Sequence, residues 1–123
     1  MAYTKGQFQK LFNEFLEHEM ELLNVKRGEY TEDGEADSLQ NFRQVAAFEG
    51  RSPEEVCLTY IIKHMQSLQR AVSTGDYDYS WWQEGQGVEG IKQRIADIRN
   101  YLLLLAAIMD DKSVANATSE ALS

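Results

Sequence analysis

Residues 52–73 read SPEEVCLTYIIKHMQSLQRAVS, and the fold class turns on them. Ser52, Pro53 and Glu55 combine a hydroxyl cap, a proline at the first helical position and a carboxylate three residues past the cap, which together start an α-helix. Behind that start, Leu58, Ile61, Met65, Leu68 and Val72 recur at helical spacing, with Cys57 and Ala71 widening the apolar arc. The helix is expected to run to about Ser73. Polar residues interrupt it: Lys63 and His64 stand side by side, with Ser67 one turn on.

The rest of the chain follows the same pattern. A first helix is expected from about Thr4 to Arg27, with Phe8, Leu11, Phe12, Phe15, Leu16, Leu22 and Leu23 at helical spacing. Gly28 opens an acidic run, EYTEDGEAD, over 29–37, and a short second helix from Ser38 ends at Gly50. After the quoted helix, residues 74–90 read TGDYDYSWWQEGQGVEG, a glycine-punctuated loop rich in aromatics. A fourth helix is expected from about Val88 to Asp111, followed by a polar C-terminal tail over 112–123, mobile or acting as an assembly arm. With one proline and no alternating strand pattern, the expectation is an all-α, four-helix bundle-like single domain over 1–111, one helix being short.

Composition narrows the function. The net charge of −8 argues against DNA or RNA as partner and says little for anionic membranes. A small anion then needs a local pocket of Lys, Arg and His. No apolar run approaches the roughly 18 residues of a membrane span. The N-terminal MAYTKGQF lacks a signal-peptide core, so a cytoplasmic location is expected. The single cysteine, Cys57, excludes an intrachain disulfide and reads as a small core residue.

An ideal helix turns about 100° per residue, so each position can be placed on a wheel. Glu19 and Lys26 fall in the middle of the first helix's apolar arc, near Phe8. His64 falls between Cys57 and Ala71, with Lys63 and Ser67 at the arc's edge. Asp97 falls between Leu104 and Ile108, Arg94 lies near the Ile91–Ile98 stripe, and Asn100 flanks Asp97. A buried unpaired charge costs several kcal/mol, so these groups need each other or a ligand. Two explanations stand: a buried ion-pair network that fixes helix register, or a shared polar cavity. Metal-ligand spacing is sparse, since Glu14 and Glu17 point outward and Glu19 and Asp97 stand singly. Glu29, Glu32, Asp33, Glu35 and Asp37 could add ligands to either. The aromatics Tyr77, Tyr79, Trp81 and Trp82 either pack over the bundle end or form a lid or subunit contact on which a base stacks.

The strings KRGEYTEDGEADSLQNFRQVAAFEGRSPEE, KHMQSL and RIADIRNYLLLLAAIM resemble a group of small all-α bacteriophage proteins over residues 20–110. The shared pattern is a Lys followed by a Tyr, an acidic loop ending in Asp before an Asn-Phe pair, a Lys-His-x-x-Ser helix and a final Asp-x-x-Asn-Tyr helix. That group is distantly similar to MazG-like nucleotide pyrophosphohydrolases and to nucleotide-modification-associated domains. The resemblance implies a nucleotide-type ligand between helices and a homo-oligomer. The matching positions are Lys26, Tyr30, Asp37, Asn41, Phe42, Lys63, His64, Ser67, Asp97, Asn100 and Tyr101. One departure stands out: Lys63, His64 and Ser67 occupy the place where the hydrolases carry an acidic pair for Mg²⁺.

The leading expectation is therefore nucleotide binding without hydrolysis, in the cytoplasm of an infected bacterial host if the protein is phage-encoded. By analogy with phage behaviour, it would sequester a host immune nucleotide signal. Lys26, Arg27, Lys63 and His64 would contact phosphate, and Asn41, Ser67, Asp97 and Asn100 would hydrogen-bond ribose or base. Arg94 completes the polar set, and Tyr30, Phe42, Trp81, Trp82 or Tyr101 would supply the stacking ring. The alternatives are a Mg²⁺-dependent nucleoside triphosphate pyrophosphohydrolase, with Glu19, Asp37 and Asp97 as metal ligands, and a non-catalytic structural or interaction module.

Overall fold

Two reciprocal capping pairs set where two of the long helices begin. At the first, Gln7 N–H donates to Thr4 Oγ1 at 3.2 Å while Thr4 N–H donates to Gln7 Oε1 at 2.8 Å. At the other, Glu55 N–H donates to Ser52 Oγ at 3.2 Å and Ser52 N–H returns a bond to Glu55 Oε1 at 3.1 Å. The bonds from Ser52 hold the Glu55 carboxyl below the usual carboxylate range, its backbone N–H contributing most. The computed structural model describes residues 1–30, 39–83 and 86–122, without the side chains of 23–30 and 117–122.

Among these residues the chain is mostly helical, with α1 (Lys5–Tyr30), α2 (Gln40–Glu49), α3 (Pro53–Thr74) and α4 (Ile91–Leu122). A small antiparallel hairpin, β1 (Trp82–Gln83) and β2 (Val88–Glu89), pairs Trp82 with Glu89 and Gln83 with Val88 in the segment expected to be a loop. Gly50 and Gly75 end α2 and α3 at φ of 67° and 70°, left-handed values that glycine adopts without a Cβ penalty.

The chain divides into two compact units, Met1–Asp37 and Ser38–Ser123, where one domain over 1–111 was expected. In the first unit, Phe15 is buried while Phe8 and Phe12, the expected centre of the apolar arc, are 61% and 42% exposed.

In the second unit, α3 packs against both α2 and α4. Leu39, Phe42 and Ala46 meet Val56, Cys57 and Ile61 of α3 and Ile108 of α4 in one core. Burying such side chains contributes about 1.5–3 kcal/mol each for the larger ones. Rings tie the three helices together: Phe42 meets Tyr60 edge-on at 6.2 Å, and Tyr60 stacks on Tyr101 at 5.9 Å. Cys57 is a core residue, as its residue type led us to expect, and its thiol donates to the Tyr101 carbonyl at 3.4 Å. Burial pushes that thiol's pKa up.

α4 does not stop near Asp111. It continues to Leu122, so the expected tail is helical over 112–122. That stretch has no proline or glycine and several alanines, a composition that favours helix more than its polarity reveals. Arg43 of α2 pairs with Asp111 at 2.7 Å and Lys112 with Glu54 of α3 at 2.6 Å where this extension starts.

Candidate functional site

The apolar arc of α3 is not one face. Cys57, Ile61 and Ala71 are buried, whereas Leu58, Ile62, Met65 and Val72 are 47–61% exposed. At about 100° per residue, the helix carries three stripes. One is the core stripe, with His64 on its flank. A second, Leu58, Ile62, Met65, Gln69 and Val72, is open. The third is polar and runs Lys63, Gln66, Ser67, Arg70 and Thr74. Lys63 and His64 are neighbours in sequence and therefore look in different directions.

The polar stripe forms one wall of a concavity of about 600 Å³. Lys63 and Arg70 reach it from α3, Arg94 from the first turn of α4 and Asp76 from the turn between them. Gln66, Ser67 and Thr74 add amide and hydroxyl groups, and Ala71 forms part of the floor. Arg43 pairs with Asp111, Arg51 with Glu49 and Lys112 with Glu54. None of these pairs engages Lys63, Arg70 or Arg94. Three cations thus face one solvent-open hollow in a chain of net charge −8.

Local structure fixes this geometry at both ends. Thr74 Oγ1 donates to the Arg70 carbonyl at 2.9 Å and accepts from Asp76 N–H at 3.2 Å, so the chain leaving α3 through Gly75 is tied back to it. On the other side, loop carbonyls take up the first amides of α4. Gly90 N–H donates to Trp81 at 2.8 Å, Ile91 N–H to Asp78 at 2.9 Å and Lys92 N–H to Ser80 at 3.1 Å. Gly90 permits this approach, because a Cβ there would lie 2.0 Å from the Ser80 carbonyl oxygen. The Lys92 ammonium sits 4.5 Å over the Tyr79 ring, fastening the loop to α4.

Of the residues expected from sequence, the structure brings Lys63, Ser67 and Arg94 together. His64 is not in that group; it is half-buried with its ring 5.0 Å from that of Tyr101. Asp97 is half-buried and accepts from Gln93 Nε2 at 2.9 Å. Burial, then the nearby Asp97 carboxylate, pushes the Tyr101 phenol above the ordinary tyrosine range. Phe42 is a core residue, 7% exposed, and so is withdrawn from any ligand. Asn41 is exposed on α2 and Asn100 half-buried on α4, neither lining the concavity. Trp81 is half-buried and Trp82, on β1, is 53% exposed. Lys26, Arg27 and Tyr30 belong to α1, with side chains outside the described residues, as is the whole of Asp37. Glu19 is half-buried in the first unit and Asp97 lies in the second. Among the described residues no three His, Cys, Asp or Glu side chains come within reach of one metal ion.

Gln66 and Arg70 lie off the apolar arc of α3 and Asp76 beyond its end, so a pattern of polar residues interrupting that arc does not include them. The signal was present: Lys63, Ser67, Arg70 and Thr74 are spaced i, i+4, i+7 and i+11, one continuous helix face. No family model, curated protein or solved structure matches this chain.

Proposed function

We propose that this protein binds a nucleotide or nucleotide-derived small molecule, with its phosphate held by Lys63, Arg70 and Arg94. The observation that carries the proposal is the convergence of three cations, none ion-paired among the described residues, on one concavity of an acidic protein. Charge-assisted bonds to phosphate are about twice as strong as neutral ones, and the two guanidiniums can each grip two oxygens. Gln66 and Ser67 extend the donor set along the same face of α3. A volume of about 600 Å³ falls in the range of sites for small organic ligands and exceeds what a bare phosphate fills. The chain leaving the hollow at Asp76 carries the exposed rings of Tyr77 and Tyr79, which offer a base a surface to stack on.

The proposed role is retention. Catalysed phosphoryl hydrolysis uses carboxylates to collect metal ions, and Asp76 is the lone carboxylate in the lining of this hollow. Sequestration of a nucleotide signal, by an oligomer in the cytoplasm of a phage-infected cell, is the role consistent with the resemblance to phage proteins.

Titration calorimetry against mononucleotides, cyclic nucleotides and ADP-ribose derivatives tests the binding. We expect one or more to bind with micromolar or better affinity and to weaken in Arg70→Gln and Arg94→Gln. Absence of binding across the panel refutes the proposal, and pyrophosphate release from a bound triphosphate with Mg²⁺ refutes retention.

A further inference from the structure

We propose that Asp76 makes the concavity selective for a ligand with two vicinal hydroxyls beside its phosphate, so that a ribonucleotide is preferred to its 2′-deoxy counterpart. This inference rests on the phosphate-binding proposal for the same hollow.

Asp76 is out of place in a site built only for an anion. Its negative charge opposes phosphate, yet it shares the lining with Lys63, Arg70 and Arg94 and pairs with none of them. It therefore is not there to neutralise a cation. Nor does its position reflect a slack turn. Gly75 directs the chain out of α3 in the left-handed conformation, and Thr74 Oγ1 bridges the Asp76 amide at 3.2 Å to the Arg70 carbonyl at 2.9 Å. The backbone of Asp76 is thus tied through Thr74 to the main chain of Arg70, whose side chain lines the same hollow.

An ionised carboxylate is an acceptor with two oxygens and no proton to give, so what satisfies it is a pair of donors. A cationic amine would meet the three positive side chains and be repelled, which leaves neutral donors. Two sources present paired neutral donors on a nucleotide: the sugar's adjacent hydroxyls and the Watson–Crick edge of guanine. Asp76 shares the lining with Lys63, Arg70 and Arg94, which favours the sugar, because it lies closer to the phosphate along the ligand than any base edge does. With such a ligand bound, Asp76 turns from a repulsive group into the acceptor for the sugar, and it penalises ligands that offer only charge.

The test uses the full chain and titration calorimetry with adenosine 5′-diphosphate, its 2′-deoxy counterpart, guanosine 5′-diphosphate, 2′-deoxyguanosine 5′-diphosphate and inorganic pyrophosphate. Hydrogen bonds to a charged partner are strong enough that the wild type should prefer adenosine 5′-diphosphate to the 2′-deoxy form by about tenfold. In Asp76→Ala that preference should collapse to within about twofold, while pyrophosphate binds several-fold tighter because its repulsion is gone. The Asp76 side chain is exposed and supports no bond of the fold, and unchanged helical circular dichroism of Asp76→Ala and Asp76→Asn checks this. Equal affinity for the ribose and deoxyribose forms, or a preference that survives Asp76→Ala, overturns the inference while leaving phosphate binding intact. A guanine preference that persists in the 2′-deoxy compound and vanishes in Asp76→Ala moves the donor pair to the base and also overturns it. If neither the nucleotides nor pyrophosphate binds, the phosphate-binding proposal fails and takes this one with it.

Discussion

Replacing Gly90 with alanine probes the packing that brings Arg94 to the concavity. The new methyl would lie 2.0 Å from the Ser80 carbonyl oxygen and 2.5 Å from its carbon, where ordinary contact begins at 3.4 Å. Both obstructing atoms are backbone, so no side-chain rotation relieves the clash. The loop must retreat from α4 by more than an ångström, and three main-chain bonds span that seam: Gly90 to Trp81, Ile91 to Asp78 and Lys92 to Ser80. At about 1 kcal/mol net for each bond lost, Gly90→Ala should lower stability by about 3 kcal/mol. Urea denaturation followed by tryptophan fluorescence suits the measurement, because the chain's two tryptophans, Trp81 and Trp82, sit in the displaced loop. The midpoint should fall with little change in slope. Arg94 is four residues on, so nucleotide affinity should fall alongside. A variant within about 0.5 kcal/mol of wild type, inside the ordinary scatter of surface substitutions, would refute the packing inferred for this seam.

Lys63→Gln, Arg70→Gln and Arg94→Gln should each weaken nucleotide binding by about tenfold, and added salt should shrink the difference, as calorimetry at two ionic strengths will show. Phe42→Ala should cost about 3–5 kcal/mol in urea unfolding, since the ring is buried between α2 and α3 against Tyr60. Gly6→Ala should gain about 0.5–1 kcal/mol in thermal unfolding of α1, because the site is helical and the nearest atom to the added methyl is Thr4 Oγ1 at 3.9 Å. Tyr101 should ionise above the ordinary tyrosine pKa of about 10 when tyrosinate absorbance is followed, and Asp97→Asn should bring its titration down. The sign for stability follows: the unfolded chain gives up that phenolic proton first, so stability is intact below about pH 10 and is lost as pH rises through the elevated folded value.

Much of the helical framework was written in local chemistry. Ser52-Pro53-Glu54-Glu55 places the start of α3, and Gly50 marks the end of α2, because caps and left-handed glycines act within a few residues. The hairpin was not legible, since strands of two residues carry no periodicity. Neither was the end of α4, where Glu54 pairs with Lys112, the first residue of the stretch that looks like a tail. The site was half legible. Lys63, Ser67 and Arg94 stood out as misplaced polar groups, but a wheel gives angles without neighbours. It could not show that the apolar arc of α3 is split between a buried and an open stripe. The Lys-His-x-x-Ser motif puts His64 and Lys63 in one ligand set, although consecutive helical residues diverge by about 100°. Asp76 depends on a turn whose geometry comes from Gly75 and Thr74 together.

The three-striped surface of α3 bears on how this protein can change over time. Point substitutions alter one stripe and leave the other two untouched. A single-residue insertion or deletion between the Ser52 start and Lys63 does something different: it rotates everything downstream by about 100°, swinging the basic stripe away from its hollow and carrying neighbouring apolar groups with it. Length variation among descendants of this chain should therefore fall in the connections between helices, with α3 held to a fixed residue count.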